Sequence, residues 1–228
     1  IPNCEHTAMI IALPYPSEQR LKEVLINKLD EQELQKSYSE RLGLLFQQLS
    51  TNYRQDTVNL CMSHLFVAGG KTSDSERTLS VGGAYTVESS MLPKKAQYIA
   101  LGHLHRPQKI GQGTEQIRYS GSPLSYSFSE AGQVKQVNII HCLPGSKAEV
   151  EEIPLSSGKP LAVWQAREGL DQAVKWCEQN RDPKAWIDLH IHLSQPLEPQ
   201  QIKVLKEIRP DIVNIKPILP EMERAVEF

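Results

Sequence analysis

The chain has 228 residues, with 25 Lys and Arg against 27 Asp and Glu, a formal charge of −2. That length allows one large or two ordinary domains with proper cores, and 39% hydrophobic with 23% charged residues excludes wholesale disorder. The longest unbroken apolar run, Ala8–Leu13, is far short of the roughly 20 residues of a membrane span, and the near-neutral balance excludes holding nucleic acid by bulk positive charge.

Thr7–Leu13 reads as a buried strand, because it is mostly apolar and stops at Pro14-Tyr15-Pro16. Ser17 is suited to cap a helix running to about Leu29. Leu34, Tyr38, Leu42, Leu45 and Leu49 then recur at three- and four-residue steps, which predicts a second helix from Glu31 to about Ser50 with one core-facing stripe. Thr57–Ser63 is strand-like and ends at His64, and the Gly-, Ser- and Thr-rich stretch from Phe66 to Gly83 reads as a loop. Tyr98–Leu101 is a short buried strand running into Gly102-His103-Leu104-His105. Further strands are expected at Gln116–Ser120, Gln133–Leu143 and Val150–Leu155.

Ser156-Ser157-Gly158-Lys159-Pro160 has the composition of a linker. After it come a strand at Leu161–Gln165, a helix at about Gly169–Gln179, a strand at Trp186–Leu193, a helix at Glu198–Ile208 and a strand at Asp211–Leu219. This β-α-β-α-β order predicts a small second domain over 156–228, behind a first domain over 1–155. The four cysteines, Cys4, Cys61, Cys142 and Cys177, form no CxxC pair. They read as reduced thiols of a cytoplasmic protein. No basic stretch followed by an apolar core opens the sequence, so no signal peptide is expected.

Three histidines stand where predicted strands end: His64, His103 and His105. In open α/β sheets ligand sites form beyond the carboxyl ends of the strands, so imidazoles there converge. Gly102 allows a sharp turn and a close approach, and imidazole suits borderline cations such as manganese, iron and zinc. The competing reading is three ordinary hydrogen-bonded histidines. The G-H-x-H spacing after an apolar strand, with another strand-end histidine upstream, favours a metal site.

The runs LCMSHLFVAGG, YIALGHLHRPQ, RYSGSPLSYSFSE and ALPYPSEQRLKEVL resemble the SbcD nucleases, a family of calcineurin-like metallophosphoesterases. The resemblance implies an α/β fold, α+β in part: a metallophosphoesterase β-sandwich flanked by helices, plus a small capping domain. It implies that His64, His103 and His105 ligate metal in a two-manganese site that hydrolyses DNA phosphodiesters. It also implies an exonuclease and endonuclease acting in DNA repair and recombination, in complex with an SbcC-type ATPase and as a homodimer. Arg106, Arg118, Ser120 and Ser122 are the candidates to touch DNA, although turn chemistry alone also accounts for Ser120-Gly121-Ser122-Pro123.

The family's D-x-H, G-D-x-x-D and G-N-H motifs have no counterpart before these histidines, and the sequence has no G-D or N-H pair. A two-metal hydrolase needs carboxylates to hold its ions roughly 3.5–4 Å apart. The expectation is therefore a sandwich incomplete at its N-terminus, with no catalytic residue of its own. Weak manganese binding, no useful nuclease activity and an unpaired sheet edge seeking another chain should follow. The alternatives are a non-catalytic remnant that binds DNA or a partner, and a phosphoesterase of small molecules. Asp188-Leu189-His190 with His192 imitates a metal motif. Its strict alternation with Ile187, Leu189, Ile191 and Leu193 predicts a half-exposed strand with its polar face in water. His6 and His141 have no partner at metal spacing.

Overall fold

The computed structural model describes residues 5–25, 37–76, 85–111 and 116–219. The chain forms two compact units, one from Ile1–Pro123 with Val134–Ser156, the other from Leu124–Gln133 with Ser157–Phe228. Among the described residues no helix is long and apolar enough to cross a membrane.

The first unit is built on a five-stranded sheet. It opens with β1 (Thr7–Leu13) and α1 (Glu18–Leu25), which Ser17 caps by accepting from the Arg20 N–H at 3.4 Å. The helix α2 (Tyr38–Leu49) begins at a capping box, in which Ser37 Oγ accepts from Glu40 N and Glu40 accepts from Ser37 N. Leu42, Leu45 and Phe46 share its buried face, and buried Arg41 pairs with Glu18 of α1. The helix predicted from Glu31 instead starts after Ser37, whose extended backbone caps it and interrupts the predicted run; Leu34 and the end predicted for the first helix lie outside the described residues.

Next come β2 (Thr57–His64) and the two-residue strands β3 (Phe66–Val67) and β4 (Thr86–Val87), which pair with each other inside and beyond the stretch expected to be loop. Then follow β5 (Tyr98–Gly102), β6 (Gln108–Lys109) and β7 (Ile117–Tyr119). The sheet order is β1-β2-β5-β7-β6, parallel except for β6. Ile11, Cys61, Ile99 and Leu101 join Leu42, Leu45 and Phe46 in one core. Ile10 and Met62, on the opposite face, are 56% and 51% exposed, whereas parallel sheets usually bury both faces. A hairpin of β8 (Lys135–His141) and β9 (Glu149–Leu155) completes the unit.

The second unit holds β10 (Leu161–Ala166), α3 (Leu170–Glu178), β11 (Trp186–His192), α4 (Pro199–Ile208) and β12 (Ile212–Ile218). Its sheet is parallel in the order β10-β11-β12. Ile187, Leu189 and Ile191 are fully buried in a core with Ala173 and Cys177 of α3 and Leu205 of α4.

The expected alternation along β11 is present, but its polar face is not simply in water. Asp188 is 2% exposed. Its Oδ2 meets His190 Nε2 at 3.0 Å and Lys216 Nζ at 2.8 Å. A central strand has neighbours on both sides, and the longer side chains of β10 and β12 roof it. Gln165 reaches His190 at 2.9 Å from one side and Lys216 reaches Asp188 from the other.

Candidate metal centre

The parallel register places His64, at the end of β2, directly beside Gly102 at the end of β5. That pairing explains why glycine stands at 102: a Cβ there would lie 2.9 Å from His64 Nδ1. The next residue, His103, turns off the strand with φ of 107°, a conformation side chains avoid unless the surroundings impose it. The turn brings its ring against His64, with centroids 5.3 Å apart and planes near perpendicular. Tyr15 packs edge-on to His64 at 6.2 Å and Phe66 to His103 at 6.4 Å.

Loss of water around the rings, and then repulsion by neighbouring imidazoles when charged, hold both imidazoles below the ordinary histidine pKa. For His64 the repelling neighbour is His105. For His103 it is chiefly His64, with Glu76 opposing and His105 adding. Both are thereby biased to the neutral form, which is the form that binds metal.

His105 is secured on three sides. Its Nδ1 lies 2.6 Å from Ser75 Oγ, and its backbone N–H donates to Glu76 Oε1 at 2.8 Å. Its carbonyl accepts from Ser122 N at 3.0 Å and from Lys135 Nζ at 3.0 Å. Burial pushes the Glu76 carboxyl up, but the N–H groups of His105 and Ser73 and the Ser73 hydroxyl outweigh it and hold the group below its ordinary value. Sequence reading missed Ser75, Glu76 and Lys135. They are polar residues some thirty positions from His105 along the chain, and no periodicity links them to it.

The fit to a metal is one of kind and not of number. Neutral imidazoles around a glycine cradle suit a borderline dication. Yet among the described residues no three His, Cys, Asp or Glu side chains lie close enough to hold one ion. The residues expected to face DNA divide in two. Arg106 is exposed and Ser120 half-buried. Arg118 is ion-paired with Glu152 and bonded to Gln116, and Ser122 is 7% exposed, accepting from Lys135 Nζ at 3.1 Å. A hollow of about 490 Å³ beside the histidines is lined by Leu13, Pro14, Met62, His64 and Gly102 among others. Lys94 and Lys95 line a separate cleft against α2. Cys61, Cys142 and Cys177 are free thiols.

No profile of a known protein family matches the chain. Individual relatives do. The SbcD subunit of the nuclease SbcCD of Bacillus subtilis (strain 168) is 44% identical over 227 residues, covering 100% of this chain and 58% of the relative. The SbcD subunit of Escherichia coli (strain K12) is 33% identical over 147 residues, 64% of this chain and 36% of that one. That of Staphylococcus epidermidis is 30% identical over 188 residues, 80% and 47% respectively. The chain thus spans little more than half the length of the first of these relatives and less of the others.

Proposed function

We propose that this chain, a relative of the SbcD nuclease subunits, carries the histidine half of the metal site and the capping domain of a DNA-hydrolysing protein. The observation that carries the reading is the juxtaposition of His64 and His103 across Gly102 at the carboxyl edge of a parallel sheet. Neutral ring nitrogens of His64, His103 and His105, divided between two ions and not gathered on one, would contribute to holding divalent metal, manganese by family resemblance. The ion supplies Lewis acidity toward a phosphodiester. Among the described residues no carboxylate completes a group with these histidines, so in this reading the chain in isolation binds manganese weakly and does not cleave DNA.

Exposed Arg106, next to His105, meets backbone phosphates in this reading. Ser120 borders the same loop. Arg118 and Ser122, already bonded within the unit, hold the loop in shape. The second unit is read as the capping domain. An SbcC-type ATPase, DNA and a second copy of the protein are the partners the family suggests, in the cytoplasm.

The test uses the full-length protein with manganese in excess and linear duplex DNA as substrate, beside a small phosphodiester. Duplex degradation is expected, and His105→Ala should cost at least about a hundredfold, beyond the 10–100-fold typical of groups one shell out. His190→Ala, once shown to be folded, should stay within about twofold. The 228 residues alone should give no cleavage. Equal losses in the two variants, cleavage of the small ester only, or cleavage by the short chain abolished by His103→Ala would each overturn the reading.

A further inference from the structure

His105 has two ring nitrogens, and a neutral imidazole carries a proton on only one of them. Whichever group occupies Nδ1 therefore decides whether Nε2 is a lone pair or an N–H. The group at Nδ1 is Ser75 Oγ, at 2.6 Å. A hydroxyl can accept from Nδ1–H, which puts the lone pair a metal needs on Nε2, or donate into Nδ1, which puts the proton there.

The segment that brings Ser75 there is itself tied down. Ser73 N–H and Oγ both donate to the Glu76 carboxylate, at 2.5 and 2.9 Å, which closes a turn around Ser75. The same carboxylate accepts the His105 backbone N–H at 2.8 Å. Side chain and backbone of one histidine are thus held by one four-residue turn.

We infer that Ser75 is a positioning residue for His105. Its hydroxyl accepts the Nδ1–H and fixes the ring plane, so that Nε2 carries the lone pair a divalent ion would use, while Glu76 anchors the turn to the His105 backbone. A ligating histidine ordinarily donates its other N–H to a fixed acceptor, and losing that acceptor typically weakens metal binding 10–100-fold. The inference rests on the reading of His105 as a ligand, and the experiment separates the two.

Full-length protein is labelled with ¹⁵N-histidine, and the metal-free form is examined by long-range ¹H–¹⁵N correlation, with His105 assigned by its loss in His105→Ala. Manganese affinity is measured in parallel from the electron-paramagnetic signal of free Mn²⁺. The expected results are an Nδ1–H tautomer for His105 in the parent and a mixed or Nε2–H population in Ser75→Ala. Manganese affinity should fall about tenfold in Ser75→Ala and return to within about twofold in Ser75→Thr, which keeps the hydroxyl. An Nε2–H tautomer in the parent overturns the inference without recourse to any variant, and so does unchanged affinity in a folded Ser75→Ala. Unchanged affinity in His105→Ala instead overturns the ligand reading beneath it.

Discussion

The rings of His64 and His103 lie within one contact of each other and are both biased against protonation, first by loss of water and then by neighbouring imidazoles. The sign of the consequence follows. The unfolded chain takes up protons as pH falls below about 6.5, whereas the folded rings resist. The unfolded state then binds more protons, and stability rises with pH across that window and is lost on acidification. The urea midpoint of the metal-free protein should therefore fall between about pH 7 and about pH 5.5, and a His64→Asn, His103→Asn double variant should show a flatter profile. An equally steep profile in the double variant would assign the effect to other groups.

At the scale of elements, β11 shows what a lone central strand can hide. Burial pushes the Asp188 carboxyl up, but the bonds from Lys216 and His190 outweigh it and hold the group below its ordinary value. The stability this contributes is present above the unfolded carboxylate pKa of about 3.9 and lost as pH falls through the folded value. Asp188→Asn should cost about 1–3 kcal/mol near neutrality, with the gap to the parent closing in acid. Urea unfolding followed by tryptophan fluorescence at two pH values checks it, and a gap that persists in acid would point to packing instead. The period-two pattern of Trp186–His192 told which residues share a face. It carried no information about the side chains of β10 and β12 that close over that face. Strands that are short or polar were equally illegible: β6, of two residues, has no room for a period. Long apolar runs ended by turn residues were legible as strands, and β1 runs from Thr7 to Leu13, but of the run expected to be buried only Ile11 is. For the same reason the strand-end histidines were visible in the sequence while the Ser73–Glu76 turn that holds His105 was not.

Across the whole molecule, the two cores share no residue, and all three tryptophans, Trp164, Trp176 and Trp186, belong to the second unit. Trp164 and Trp176 stack edge-to-face at 5.9 Å, with Arg181 4.3 Å over Trp176, and Lys159 lies 3.4 Å over the half-exposed Trp186. Fluorescence thus reports one unit and far-ultraviolet dichroism both. Leu42→Ala, which empties a fully buried site in the first core, should cost about 2–5 kcal/mol. It should lower the dichroism transition and leave the fluorescence midpoint in place. Equal shifts in both probes would mean that the two units unfold as one cooperative block.

The backbone at His103 has a final implication, for how this position can evolve. At φ of 107° glycine is the residue the main chain itself prefers, so replacing the imidazole with glycine should make the apo chain easier to fold. Such a change belongs to the stabilising substitutions that are easy to find and that cost function where the lost side chain is needed. An imidazole held at this dihedral carries backbone strain that glycine would not, and what the ring binds must outweigh that strain.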